Sequence, residues 1–265
     1  NLADGAVSGN VFAAPAPDQI LAATRAIDQG KGVLYLYGNY AGDNMNFDIA
    51  AELAESEGIA TKTVRIYDDV ASAPLERITD RRGIAGDLFV IKIAGGAAAK
   101  LDSLEEVYRV TAKARDLTRS MGVALSPGSI PETGQPTFTI GEGEIEIGMG
   151  LHGEAGVSRE KMMPADELVS RMTDLILKDL PFNSGDEVCL LINNLGATTM
   201  MELLIVNRKV RALLADKQIT VHDTLIGSYC TSQEMAGFSI SLLKLDDELK
   251  LYYNLPAKSF AFTKG

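Results

Sequence analysis

The chain has 265 residues, 46% apolar and 23% charged, enough to bury a sizeable core in one or two domains. Its net charge of −11 argues against a nucleic-acid groove or an anionic membrane surface as partner. No apolar run approaches the length of a membrane span, and two cysteines with two scattered histidines make no zinc site.

The opening residues, Asn1-Leu2-Ala3-Asp4-Gly5, show neither an initiator Met nor a signal-peptide pattern, so the chain is expected to begin in mid-protein. Gln19 to Asp28 has helical spacing and stops at Gly30. Val33 to Tyr37 is a continuous apolar run of strand length. A polar, glycine-bearing loop, Gly38 to Asn46, leads to a helix from about Phe47 to Glu57. Thr63–Tyr67 and Leu88–Ile93 read as strands, separated by a long charged connection. A helix follows from Ser103, where Ser103 and Glu106 have capping-box spacing, to about Arg119.

The composition changes near Met121. Pro127, Gly128, Pro131, Gly134 and Pro136 mark loops, and short strands are expected at Thr137–Ile140 and Glu144–Ile147. Asp166 to Leu180 is an amphipathic helix with Leu168, Met172, Leu175 and Ile176 on one face. Glu187–Ile192 is a strand, and Asn193 to Thr199 opens a helix ending near Asp216. Ile219–His222, Leu225–Tyr229, Phe238–Leu245 and Leu249–Tyr253 read as strands. Cys189 and Cys230 lie in strand-like surroundings and read as reduced, buried thiols of a cytoplasmic protein. This order predicts an α/β protein of two α/β domains, each a mixed or mostly parallel sheet flanked by helices. The boundary is drawn close to residue 120, giving an N-terminal domain over 1–119 and a C-terminal one over 120–265.

Chemistry-bearing residues are few. In Gly148-Met149-Gly150-Leu151-His152-Gly153-Glu154-Ala155-Gly156, four glycines crowd one of the two histidines just after a predicted strand. Such backbone turns tightly and lets a small molecule approach. His152 is then either a solvated turn residue or an acid, base or nucleophile in its own right, since no Ser or Cys lies beside it. Asp43 follows the strand at 33–37, on the side where open α/β sheets bind ligands. The same residue also suits the cap of the following helix. Asn193-Asn194-Leu195-Gly196-Ala197-Thr198 lacks the lysine of a phosphate-binding loop, so it reads as turn and capping chemistry. No nucleotide site is expected in this chain, and His222 reads as structural or surface.

Gly38 to Phe47, Arg81 to Gly86, Gly148 to Gly156, Asn193 to Thr198 and Gly227 to Ser239 together resemble, in order, the substrate-binding K subunit of dihydroxyacetone kinase. The resemblance runs over essentially the whole chain. It implies that His152 attacks the ketone of dihydroxyacetone through Nε2 to give a covalent hemiaminal. Glycerol, which has no carbonyl, is rejected by that bond. The attacking ring must be neutral, its other nitrogen held by a partner, for which Glu154 is at hand. Asp43 would bind and activate a substrate hydroxyl. The resemblance implies no cofactor here, ADP or ATP with Mg being carried by a separate nucleotide-binding L subunit. The form it favours depends on the phosphotransferase system, with a phosphoryl carrier protein upstream, in a cytoplasmic homodimer.

Two departures accompany it. A family segment with a second histidine is absent, so the chain as it stands is expected not to be a competent kinase without that segment and the L subunit. At Gly38, a substrate-binding position, many members have lysine. Two further roles therefore accompany the kinase reading: a non-catalytic dihydroxyacetone-binding co-activator of transcription, and a kinase subunit for another short ketose such as erythrulose.

Overall fold

The structure is a computed structural model and describes residues 2–265; Asn1, part of the expected mid-protein start, lies outside them. The chain clusters into two compact units. One comprises 1–67, 87–116 and 247–265; the other comprises 68–86 and 117–246. The boundary expected near residue 120 falls close to one of these crossings, after Asp116. The other crossings arise because the chain leaves and re-enters each unit.

In the first unit, α1 (Pro17–Ile27), β1 (Val33–Gly38), α2 (Ala41–Ser56) and β2 (Thr61–Ile66) form a parallel two-stranded sheet flanked by helices. Ile20 of α1, Val33, Tyr35 and Tyr37 of β1 and Ala50 of α2 make its core. Phe47 stacks on Tyr37 at 4.3 Å between ring centroids and meets Tyr35 edge-on at 5.3 Å. Then follow α3 (Asp87–Ala98) and α4 (Leu104–Asp116).

The second unit takes in the 68–86 connection, with its short 3-10 helix at Leu75–Asp80, and then β3 (Thr118–Ala124). The hairpin β4 (Ser129–Ile130) and β5 (Gln135–Pro136) follows, then β6 (Glu144–Ile147), β7 (Ser158–Lys161), α5 (Ala165–Asp179), β8 (Glu187–Asn194), α6 (Met200–Asp216), β9 (Thr220–Gly227) and β10 (Gly237–Leu245). The six-stranded sheet has the order β7-β6-β3-β10-β8-β9, antiparallel throughout except for the parallel β8–β9 pair. Leu168, Met172 and Ile176 of α5 and Leu203, Val206 and Val210 of α6 close the core over it. The chain ends back in the first unit with α7 (Asp247–Tyr253) and a hairpin of β11 (Ala257–Lys258) and β12 (Thr263–Lys264). Both units are thus α/β, the larger with a mixed sheet.

Several local expectations are corrected. Leu88–Ile93 is not a strand but the start of α3. Phe89, Val90, Lys92, Ile93 and Ala94 are all buried, and a helix covered on every side shows no amphipathic period to separate it from a buried strand. Leu249–Tyr253 is likewise helical: Leu249, Tyr252 and Tyr253, at i, i+3 and i+4, are its buried residues. There Lys92 Nζ donates to the Tyr252 carbonyl at 2.9 Å. Gly96 must lack a side chain because a Cβ would lie 2.4 Å from that oxygen.

β3 escapes pattern reading because it is wholly buried yet polar at Thr118, Arg119 and Ser120. Ser120 Oγ donates to Ser241 Oγ on the neighbouring β10 at 2.6 Å, which removes the cost of burying it. Residues 137–140 form no strand; the pairing there is β4 with β5. The apparent break between two strands at 219–229 is a register shift inside β9, opposite Val188/Cys189. The helix expected to open at Asn193 starts at Met200, capped by Thr199. Cys189 is buried as expected, whereas Cys230 is half-buried in a loop; neither forms a disulfide.

Candidate functional site

The histidine turn is fixed from beneath and from both ends. Gly148 N–H donates to the Gly122 carbonyl at 2.7 Å, and Val157 N–H to that of Ile147 at 2.8 Å. Gly148 and Gly153 have φ of +82° and +92°, a region that penalises any side chain. A Cβ on Gly156 would meet the Ile147 carbonyl oxygen at 2.1 Å. Met149 packs with Ala124, Leu195 and Met235 below the turn, and Ser232 Oγ donates to the Leu151 carbonyl. The His152 side chain stands on this platform 35% exposed, reachable yet not free to swing.

Glu154 holds the ring. Its Oε1 lies 2.9 Å from His152 Nδ1 and its Oε2 accepts the His152 backbone N–H at 2.9 Å. Burial works to raise the Glu154 pKa, but these bonds and the imidazole beside it outweigh burial and hold it at about 2. An ionised carboxylate only accepts, so Nδ1 carries the proton and, in the neutral ring, Nε2 carries the lone pair. Glu154, named above as at hand to hold the other ring nitrogen, is the residue that faces it.

Two residues that pattern reading did not assign complete the cluster. Arg82 Nη1 lies 4.0 Å from Glu154 Oε2. Its Nε and Nη2 donate to Asp69 Oδ2 at 3.1 and 2.8 Å, and Nη2 also donates to the Gly148 carbonyl at 3.1 Å. Burial pushes the Asp69 carboxyl up to about 6, against the pull of Arg82. The only signal in the sequence was the Arg-Arg-Gly block itself, because Arg82 comes 66 residues before Gly148.

Gly150 explains a glycine that backbone angle does not require: a Cβ there would lie 2.3 Å from Glu154 Oε2 and 2.5 Å from Arg82 Nη1. Both groups are held by hydrogen bonds, so Gly150→Ala is expected to displace the Glu154 carboxylate with about 1–3 kcal/mol lost in stability. Denaturation by urea checks the stability, and a two-dimensional spectrum of the imidazole nitrogens checks the displaced carboxylate.

Asp43 and Gly38 belong to the first unit, His152 to the second. Asp43 is not in a loop, because α2 begins at Ala41 and places it in the first helical turn, where its charge complements the helix dipole. It also lines a cavity of about 440 Å³ in that unit, with Tyr35, Tyr37 and Phe47. Gly38 ends β1, paired in register with Ile66.

The asparagine block is structural. Asn193 Oδ1 accepts the N–H groups of Tyr229 and Cys230 at 3.0 and 2.9 Å, and Asn194 Oδ1 those of Gly196 and Thr198 at 2.9 and 3.0 Å. His222 faces Glu187 at 3.2 Å from the edge strand. Among the described residues no group of three or more His, Cys, Asp or Glu is arranged to hold a metal ion, and no helix is long and apolar enough to cross a membrane.

Comparison with known proteins shows the family. Residues 1–261 match the Dak1 domain. The chain is 46% identical to the dihydroxyacetone-binding subunit DhaK of PTS-dependent dihydroxyacetone kinase 2 from Listeria innocua, over 97% of this chain and 77% of that protein. It is 40% identical to an L-erythrulose kinase of Pectobacterium atrosepticum, over 100% of this chain and 45% of that protein. Among solved structures, the dihydroxyacetone kinase operon co-activator Dha-DhaQ superposes with a TM-score of 0.89 at 28% identity, covering 96% of this chain and 78% of that one. The chain thus belongs to the Dak1 domain family, that of the dihydroxyacetone-binding subunits of dihydroxyacetone kinases.

Proposed function

We propose that this chain is the dihydroxyacetone-binding subunit of a kinase that makes dihydroxyacetone phosphate. The observation that carries the reading is the ionised Glu154 placed 2.9 Å from His152 Nδ1, which leaves Nε2 as the nucleophilic nitrogen. Its lone pair adds to the ketone carbon and the C=O π pair moves to oxygen. That oxygen takes up a proton from solvent, and Nδ1, held by Glu154, releases one to solvent, so one proton enters and one leaves, Glu154 stays ionised and the hemiaminal is neutral overall. Glycerol offers no carbon for this step. With the ketone fixed, Asp43 accepts a hydrogen bond from a substrate hydroxyl and sharpens its attack on phosphorus. The nucleotide, ADP or ATP with Mg, would be carried by an L subunit; where it is ADP, a phosphoryl carrier protein would recharge it before each transfer, and the K chain would work as a cytoplasmic homodimer.

The test is phosphoryl transfer to dihydroxyacetone by a protein that carries this chain together with the family's second-histidine segment, with its L subunit and donor, compared with its Asp43→Asn variant. Turnover is expected to drop by roughly 10²–10⁴-fold in the variant while the adduct, read as added mass, persists. Equal turnover by both proteins sinks the role of Asp43.

Two observations favour a second reading: the close superposition on a co-activator, and glycine at position 38. In that reading the chain captures the ketone and reports it to a transcription factor. An adduct with no phosphorylated product, in the presence of competent L subunit, selects it. A third outcome, faster turnover of erythrulose than of dihydroxyacetone, moves the substrate to the longer ketose.

A further inference from the structure

We infer that Arg82 and Asp69 are positioning residues for His152, acting through Glu154 and not through substrate. The inference rests on the reading of His152 as the covalent site.

Arg82 is anchored before it reaches the histidine turn. Its backbone carbonyl accepts the Asp69 N–H at 3.1 Å, and its own N–H donates to Ser72 Oγ at 3.0 Å. Asp69 is itself tied by the Ala71 N–H at 3.0 Å. The neighbouring Arg81 is clamped to Asp179 by two parallel bonds of 2.8 and 2.6 Å. The Arg82 side chain is 13% exposed and that of Asp69 1%, so the guanidinium has few rotamers open to it. Its fork is divided: one edge serves Asp69, one N–H takes the Gly148 carbonyl where the turn begins, and Nη1 faces Glu154 Oε2. Glu154 in turn uses Oε1 for the ring and Oε2 for the backbone of His152.

The chain of contacts therefore runs Asp69, Arg82, Glu154, His152, with hydrogen bonds at its two ends and a charge contact of 4.0 Å between Arg82 and Glu154. Its chemical effect is on the tautomer. A histidine in water favours the proton on Nε2, the form that cannot attack. A carboxylate facing Nδ1 reverses that choice only while it stays ionised and aimed. Arg82 supplies a fixed cation on the far side of Glu154, which favours the ionised form and opposes rotation of the carboxylate away from the ring. Lysine in its place is a point charge that cannot serve Asp69, Gly148 and Glu154 at once.

The test uses the full chain with Arg82→Lys and Asp69→Asn, the latter keeping its volume and losing its charge. Imidazole ¹⁵N spectra at neutral pH, without any ketone, report the tautomer. Intact mass with dihydroxyacetone reports the adduct. The native protein is expected to show the Nδ1–H form. Both variants are expected to show a mixture, with about a tenfold drop in adduct at a subsaturating ketone concentration and an unchanged circular dichroism spectrum. Should the lysine variant not fold, Asp69→Asn carries the test alone. A native-like tautomer in a folded variant overturns the proposal, as does an Nε2–H form in the native chain. If the tautomer responds as expected but even the native chain forms no adduct, the covalent reading fails and the positioning role stands.

Discussion

Replacing His152 with alanine is expected to abolish the mass adduct with dihydroxyacetone and to cut its preference over glycerol by roughly 10²-fold or more. The two molecules share their terminal hydroxyls, so hydrogen bonds alone treat them alike, and the carbonyl carbon is what the imidazole reads. The platform under the ring is built by Met149, Leu195 and Met235 and by backbone bonds that alanine leaves in place. The loss should therefore be chemical, with the melting temperature unchanged. Competition of the two polyols for native and variant protein, followed by calorimetry, measures it. An alanine variant that turns over dihydroxyacetone with its selectivity intact removes the covalent role.

The largest expected loss of stability comes from Asp179→Ala. This carboxylate, at the end of α5, is shared by Arg81 of the 68–86 connection and Arg119 of β3, at 2.6 and 2.5 Å. The arginine side chains are 1% and 4% exposed. Removing the charge they share leaves two guanidiniums in a poorly solvated place, a cost of about 3–5 kcal/mol. Urea denaturation should show a lower midpoint at unchanged slope. The pH dependence has a definite sign. Burial acts to raise the Asp179 pKa, but the bonds from Arg81 and Arg119 prevail and its folded pKa lies below the ordinary value. The stability it contributes is present above the unfolded pKa and is lost as pH falls through the folded one. The gap between native and variant should therefore narrow in acid. Because Arg81 adjoins Arg82, the same variant should also loosen the histidine turn. A midpoint unmoved at neutral pH counts against the clamp.

Asp69 has the opposite sign. With its folded pKa at about 6, above the unfolded value, its charged form opposes folding, and that penalty grows as pH rises from about 4 to 6. The protein bears a cost there, consistent with a carboxylate held for the sake of Arg82.

The sequence by itself determined the α/β class, most of the elements of the larger unit, and the histidine turn. Each of these is written locally: a period of two or 3.6, a capping box, a glycine where backbone must bend. Glu154 was within reach of the same reading because two residues of a tight turn share one face. Tertiary structure alone decided the rest. α3 and α7 are helices because burial on all sides, or a short amphipathic face, is settled by what packs around them. β3 is a strand because Ser241 and Asp179, 121 and 60 residues from their partners, satisfy its polar groups. The link from Asp69 and Arg82 to His152 crosses a similar distance along the chain. Ion pairs between residues so far apart leave no period in a sequence, since their geometry exists only once the sheet has brought the loops together.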